Sequence, residues 1–518
     1  MIFRIECFII CPSSFITHDF LVFLGQITTT LLQLKDHLNQ IFSSLLHFAP
    51  ETVWTIAFLL LVLADLLLNR SRWRSQTPAI LRALLFGFGL LALALLFQQW
   101  NDGSGHLFHR LLFLDNKAVF FKIIITVALL FTLAQVQVAH VQLIAEFYVI
   151  FPAILLGLYL MTMAVNGLSF YLSIELVSIG SYLFTAFGRG PKPAEGGLKY
   201  VLFGALSSAI MLYGLSLIYG MAATLDFTNA AFADNLAQNP IWVVLVVGLL
   251  TLGGIFFKLS LVPFQVWVPD VYEAVPAPVA AFFSVAPKAA AFLVLMRMLS
   301  ALPPDFQTMI AVVALGSILI GNLSALWQND LKRLLAYSGI AQAGFMVVGL
   351  VAFNQTGFEA TTFYLCVYVF MNLAAFLLVD LLGEGQTDLR QLAGLGSQKP
   401  FLAVAFTVVA VSLVGLPPTA GFSAKLLVFS ALWEAYQSTP SGWLLALLVL
   451  GLLNAVVSLA YYFKLPFYLF FRPSPRENNL LTPKSPPISS ILLVVLLLTP
   501  VLVLFFKPDW LLDWIGRL

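Results

Sequence analysis

Four ionisable side chains stand inside stretches of sequence that are otherwise apolar. Glu175 lies within Leu172-Ser-Ile-Glu-Leu-Val-Ser, and Lys258 within Gly254-Ile-Phe-Phe-Lys-Leu-Ser-Leu. Lys288 lies within Ser284-Val-Ala-Pro-Lys-Ala-Ala, and Lys425 within Gly421-Phe-Ser-Ala-Lys-Leu-Leu. If these stretches cross a bilayer, each charge costs about 2.5–3.5 kcal/mol at a helix centre, so such residues are functional candidates by default. Snorkelling does not rescue residues far from a helix end. Burial disfavours the charged form of either group, which brings proton exchange within reach at neutral pH. One structural ion pair between Glu175 and a lysine would explain two of the charges and leave two lysines over. The chemistry that uses all of them is a proton relay, with lysines alternating with water.

The surrounding chain supplies the bilayer. Of its 518 residues 61% are hydrophobic and only 10% charged, too few charges for the surface of a soluble protein of this size. Apolar runs long enough to span the hydrocarbon core recur from Pro50 onward, which predicts an all-α integral membrane protein rather than a barrel of short alternating strands. We count about fourteen spans, centred near Leu60, Leu90, Thr126, Leu156, Ile179, Met211, Leu250, Leu293, Ile318, Val347, Tyr368, Val411, Leu450 and Val495. Residues 1–48 are a weakly defined extension with room for a short membrane or interfacial helix, and Met1–Ile10 is too short and badly flanked for a signal peptide.

Loop charges orient the spans. Basic residues follow the first span (Arg70, Arg72, Arg74), the fifth (Arg189, Lys192), the ninth (Lys332, Arg333), the eleventh (Arg390, Lys399) and the thirteenth (Lys464, Arg472, Arg476, Lys484). Even-numbered loops are short or acidic, with Asp226, Asp234, Asp305 and Glu359. Odd loops are therefore expected in the cytoplasm and both termini on the opposite side. The loop carrying Arg110 and Lys117 fits less cleanly.

Two spans carry breaks beside a lysine. Pro263 follows Lys258 in the seventh, and Gly415-Leu-Pro-Pro-Thr-Ala-Gly, with Pro417 and Pro418, precedes Lys425 in the twelfth. Proline removes a backbone donor and interrupts the helix. Interrupted backbone survives at membrane depth only where protein or a hydrated cavity satisfies it. Spans four to eight and nine to thirteen then form two groups of five, the broken member fourth in each. An odd number of spans per copy makes the second copy inverted. The expected organisation is 1–48 as extension, 49–145 as three N-terminal spans, 146–300 and 301–470 as the two five-helix repeats, and 471–518 as a loop with a final span.

Several other residues carry less. Asp65, Lys122 and Asp380 read as span-end or interfacial charges, and His140 as a loop residue. Lys199, at the start of the sixth span, is a candidate link from Glu175 to the cytoplasm. Cys7, Cys11 and Cys366 are too few for a four-thiolate iron–sulfur cluster. No dinucleotide fingerprint, phosphate-binding loop or basic block for nucleic acid occurs.

At these same residues the chain resembles the antiporter-like membrane subunits of respiratory complex I, the NADH-quinone oxidoreductase. The resemblance rests on Phe257-Lys-Leu-Ser-Leu-Val-Pro-Phe-Gln-Val-Trp-Val-Pro-Asp, on Asp330-Leu-Lys-Arg-Leu-Leu-Ala-Tyr-Ser-Gly-Ile-Ala-Gln-Ala-Gly and on Gly415-Leu-Pro-Pro-Thr-Ala-Gly-Phe-Ser-Ala-Lys. Glu175 in Ile174-Glu-Leu-Val-Ser and Lys199 in Gly197-Leu-Lys-Tyr also match, so it covers roughly Pro50 to Phe470. Tyr200-Val-Leu-Phe-Gly-Ala-Leu-Ser-Ser-Ala, Phe370-Met-Asn-Leu-Ala-Ala-Phe and a lysine at 425 make it most similar to the subunit N (subunit 2) branch. The resemblance implies proton passage through Lys258, Lys288 and Lys425, with Glu175 setting the proton affinity of Lys258. Gln342 stands where some siblings carry histidine, leaving water or Tyr337 to bridge Lys288 and Lys425. It also implies a bacterial inner-membrane location and neighbouring complex I membrane subunits. NADH, FMN, iron–sulfur clusters and quinone are then handled by partner subunits, with no cofactor or metal in this chain. The alternative is a subunit of a multi-component cation/proton antiporter without redox coupling; a scaffold with purely structural charges is a second.

Overall fold

A computed structural model of the chain describes residue 35 and residues 38–70, 74–100, 103–188, 190–473 and 487–518. The expectations placed on Met1–Ile10, Cys7, Cys11, Arg72, Arg189, Arg476 and Lys484 fall outside these residues.

The described chain is a helical membrane bundle. Its spanning helices begin with α1 (Ala49–Asn69), α2 (Thr77–Gln99), α3 (Asn116–Val138), α4 (Ala145–Met163), α5 (Gly167–Ala186), α6 (Pro191–Ala222) and α7 (Ile241–Leu259). A short helix, α8 (Val268–Ala274), follows α7 before α9 (Ala277–Leu299), α10 (Phe306–Leu326), α11 (Leu331–Leu350) and α12 (Gln355–Gly383). Then come α13 (Pro400–Val414), α14 (Ala420–Ser438), α15 (Gly442–Tyr462), α16 (Ile488–Phe506) and the terminal α17 (Asp509–Ile515). Among the described residues 13 helices are long and apolar enough to cross a membrane, and Pro400–Val414 is a shorter apolar helix. Each span centre expected from hydropathy falls in a helix of its own. One small departure from all-α structure is an antiparallel hairpin, β1 (Gly105–Leu107) on β2 (Leu112–Leu114), in the loop between α2 and α3.

Burial sorts the helices. α9, which carries Lys288, is buried along almost its whole length and packs on α3, α4 and α12. A helix enclosed on all sides must be apolar all round, and Lys288 is the exception in its middle turns. α11 and α12 form the next wall, with α10 and α14 packed on them. α1, α2, α6, α15 and α16 keep wide exposed apolar faces, such as Leu59, Leu63 and Leu67 on α1 or Leu198, Leu202 and Leu206 on α6. These suit hydrocarbon or another membrane chain.

Both breaks fall where the prolines place them. α7 ends at Leu259, closed by Ser260 in the left-handed region at φ 63°. The chain turns through a cis Val262–Pro263 bond before α8. The freed Val262 N–H donates to Ser317 Oγ at 3.0 Å, so α10 satisfies the interruption. α13 ends at Gly415 (φ 87°), and a cis Pro417–Pro418 bond leads into α14.

Candidate proton-relay site

Each break sets a helix C-terminus against a lysine. The carbonyls of the last helical turn have no intrahelical partner and carry the negative end of the helix dipole, which favours a cation. Lys258 occupies the last turn of α7 itself and is 3% exposed. Lys425, one turn into α14 and 6% exposed, reaches back to the end of α13 and donates to Val414 O at 2.5 Å and Leu413 O at 3.2 Å. Its ammonium also lies 4.5 Å from the Phe345 ring centroid. Gly415 is required twice over: its φ is 87°, and a Cβ there would meet Lys425 Cδ at 2.7 Å.

Lys258 has no hydrogen-bond partner for its Nζ. Around it stand Tyr200 and Phe257, each 6.0 Å from the ammonium, with Trp267 stacked on Tyr200 at 4.3 Å. Ser260 Oγ, Gln265 Oε1, Trp267 Nε1 and Tyr272 Oη are likewise buried without a partner. Buried polar atoms are normally paired by protein or ordered water. The unpaired ones here are concentrated around one break. Tyr272 lies within electrostatic reach of both Tyr200, beside Lys258, and Tyr368, beside Lys288.

Lys288, 1% exposed, donates to Gly339 O at 2.8 Å and sits 5.9 Å from the Tyr368 ring. Asn372 donates to Tyr368 Oη at 3.1 Å and also to Ser284 Oγ, one turn before Lys288. Gln342 lies one turn beyond Gly339 on α11. It accepts from Tyr364 Oη at 2.5 Å and donates to Leu413 O at 2.7 Å and Tyr462 Oη at 3.3 Å. Tyr462 in turn bonds Ser338. Polar groups thus run from Lys288 through Gly339 and Gln342 to the carbonyl that Lys425 also uses.

The other expected residues fall differently. Glu175 is half-buried on α5 and accepts a hydrogen bond from Ser208 on α6. Among the described residues it forms no ion pair with Lys258 or any other lysine within 4.0 Å, so the two charges are not a closed bridge in this structure. Lys199 binds Asp270 and Glu195, each at 2.7 Å, rather than Glu175. The tyrosines hydrogen-bonded to the Gln342 amide are Tyr364 and Tyr462 rather than Tyr337. Asp380 Oδ2 is buried without a partner near Lys332, and Asp65 accepts from Asn69 at 2.8 Å.

The mouth of the first break is closed by charges at the odd-loop end of the bundle. Asp270 and Glu273 on α8 take Arg333 of α11 at 2.6 and 2.8 Å, while Lys192 of α6 binds Glu273 at 2.6 Å. Lys332 caps the end of α8, donating to Glu273 O and Val275 O at 2.8 Å each. Partial burial alone would raise both carboxyls. Hydrogen bonds from Lys199 and Arg333 to Asp270, and from Lys192 and Arg333 to Glu273, instead hold them below the ordinary carboxylate range. At the opposite end Arg110 pairs with Asp226 at 2.9 Å and Arg297 with Asp115 at 2.6 Å.

Lys122 departs from the expectation drawn from its sequence position. Lys122 is not interfacial: it is fully buried on α3, 2.5 Å from Glu51 of α1, which is fully buried as well. Lys122 interrupts the run Phe120-Phe-Lys-Ile-Ile-Ile, a signal as strong as that at Lys288. Glu51, directly after Pro50, resembles an ordinary acidic residue in a helix's first turn.

This bundle of broken helices with lysines at the breaks defines a class. The family described as NADH:quinone oxidoreductase/Mrp antiporter, transmembrane region, matches residues 164–453, and the chain belongs to that family. Within it, the chain is a relative of subunit N. It is 35% identical over 485 residues to NADH-quinone oxidoreductase subunit N 2 of Chloroherpeton thalassium, covering 89% of this chain and 92% of that one. Among solved structures, a chain of respiratory complex I from Thermus thermophilus with bound aureothin superposes with a TM-score of 0.74 at 30% identity, covering 90% of this chain and 98% of that one. A chain of the Mrp complex from Dietzia sp. shares the fold, with a TM-score of 0.75 at 21% identity over 91% of this chain and 96% of that one.

Proposed function

We propose that this chain is a proton-translocating membrane subunit of an NADH-quinone oxidoreductase, and that protons pass through it by way of Lys258, Lys288 and Lys425. The observation that carries the reading is the pairing of each helix break with a lysine: one ammonium in the last turn of α7, the other on the freed carbonyls of α13. The equivalence of the two arrangements supports inverted five-helix repeats over 146–300 and 301–470, because half-helix C-termini that hold cations recur at the midplane of such folds.

Protons enter from the odd-loop side, which is the cytoplasm by its basic charges. Lys199 and Asp270 stand at that mouth, and α8 joins it to the break beside Lys258. The amine of Lys258 takes a proton from water among Tyr200, Trp267 and Tyr272 and passes it toward Lys288. From Lys288 the path follows Tyr368, Gln342 and the Leu413 carbonyl region to Lys425, which releases the proton on the far side. Gln342 orients rather than stores: its amide does not titrate near neutral pH. It fixes Tyr364 and the α13 carbonyls so that a hydrated path stays polar from Lys288 to Lys425.

Glu175 controls the first step. Its charge lies close enough to act on Lys258 without bonding to it. A partly exposed carboxylate on a spanning helix is tolerated only against protein or water, so the outer face of α5 suits a neighbouring membrane subunit. Movement of Glu175 toward or away from Lys258 changes the proton affinity of the amine. Electron transfer from NADH to quinone, with its flavin and clusters, is assigned to partner subunits. The chain lies in the bacterial inner membrane with both ends on the non-cytoplasmic side.

The test is proton uptake by inverted membrane vesicles containing the complex, followed by dye quenching during NADH oxidation. Glu175→Ala or Lys258→Ala should lower the quench at equal complex content, and tagged chain should co-purify with flavin and iron–sulfur subunits. Co-purification with small antiporter subunits alone would reassign the protein to redox-free exchange.

A further inference from the structure

The buried pair of Glu51 and Lys122 has no place in the lysine line. It joins α1 to α3 at 2.5 Å, and both side chains are 0% exposed. A buried ion pair stabilises a fold only if its geometry is good and its remaining lone pairs and protons are satisfied. This one fails the second condition: apart from the ammonium, both Glu51 oxygens lack a hydrogen-bond donor. Besides the carboxylate, Lys122 Nζ has a long bond to Gln99 Oε1 at 3.3 Å and the weakly accepting Met163 Sδ at 3.1 Å. Apolar side chains of the same volume would serve packing better.

The pair is connected in two directions. Toward the even-loop end, Gln99 donates to His47 O at 2.7 Å. His47 lines a cavity of about 340 Å³ together with Ser43, Ser44, Ser104 and His106. Deeper in the bundle, Thr126 bonds Lys122 O at 2.7 Å and Tyr159 Oη at 2.5 Å, and the Tyr159 ring lies 5.7 Å from the ammonium. Asp115 and Arg297, themselves paired, are the other charges that act on Lys122.

We propose that Glu51 and Lys122 form a second proton-holding site, which exchanges protons with the even-loop face past Gln99. A proton moves from Lys122 Nζ to Glu51 Oε1: one N–H bond breaks, one O–H bond forms, and the net charge of the pair stays at zero. The neutral amine then accepts a proton from hydronium in the cavity above Gln99, which is left as water, and Glu51 yields its proton to a water on the Tyr159 side, which carries it away as hydronium and so restores the ion pair. One proton has passed and nothing is oxidised or reduced. Gln99 is a positioning residue, holding the ammonium toward the cavity. The use of this exchange in pumping rests on the proposed function.

The experiment compares inverted vesicles carrying the whole complex with Glu51→Gln/Lys122→Met, with Gln99→Leu and with Lys258→Ala. The double variant removes both charges and leaves neither unpaired. The expected result is assembled complex whose protons translocated per NADH fall several-fold, with Gln99→Leu showing the same direction of change. Wild-type translocation by the assembled double variant overturns the proposal and leaves the pair structural. If the double variant does not assemble, Gln99→Leu decides, since it keeps the ion pair: slowed translocation upholds the proposal and wild-type translocation overturns it. Lys258→Ala reports separately. Full translocation there removes the lysine relay, whereas loss there beside full translocation in the double variant removes only the outer pair.

Discussion

Gln342 and Lys425 share one backbone oxygen: Leu413 O accepts from Gln342 Nε2 at 2.7 Å and from Lys425 Nζ at 3.2 Å. That carbonyl is free because Gly415, Pro417 and Pro418 end α13 two residues further on. The break in the helix is therefore what couples an amide on α11 to the ammonium on α14.

Replacing Gln342 by Leu should uncouple them. Tyr364 Oη loses its acceptor, an orphaned buried hydroxyl costing roughly 1–3 kcal/mol. The expected outcome is slower NADH-driven proton translocation with complex content near normal, and Gln342→His should recover most of it. Unchanged translocation in Gln342→Leu would remove the amide from the path.

Gly415→Ala should be more damaging than its size suggests. The left-handed conformation alone costs about 1–2 kcal/mol for a residue with a Cβ, and the methyl would press on Lys425 Cδ. Blue-native gels should show reduced complex, and any complex that assembles should translocate poorly. A fully active alanine variant would show that Lys425 need not sit on the α13 carbonyls.

The charge clamp on α8 makes a pH prediction. Asp270 and Glu273 are held below their ordinary carboxyl range, so their contribution is complete above the unfolded-state values near 4. It is lost only as pH falls through the lower folded-state values. The protection factor of the amides in 268–274, with the intrinsic pH dependence of exchange divided out, should therefore stay high and flat from about pH 8 to 5. Arg333→Gln, which frees both carboxylates, should raise exchange there at neutral pH. Rapid exchange of the wild-type segment at pH 6 would contradict the clamp.

Much of this was legible in sequence because hydropathy and proline are local signals. Every span centre, both breaks and the burial of Lys258, Lys288 and Lys425 follow from runs and interruptions a few residues long. What was not legible depends on packing between distant spans. Lys199 and Asp270 lie in different spans' surroundings, and nothing near either residue announces the other. Tyr364 and Tyr462 reach Gln342 from α12 and α15, whereas Tyr337, near in sequence, is not among its hydrogen-bond partners. Lys122 was discounted although its apolar neighbours marked it, because its partner Glu51 looked like an N-terminal helix acid.

The central claim is that Lys258 carries protons, and its most direct measurement is the proton-to-NADH ratio of inverted vesicles bearing Lys258→Ala at wild-type complex content. The account predicts a ratio, or a coupled rate, well below wild type, with assembly intact. A variant that assembles and pumps with the wild-type ratio and rate would contradict it.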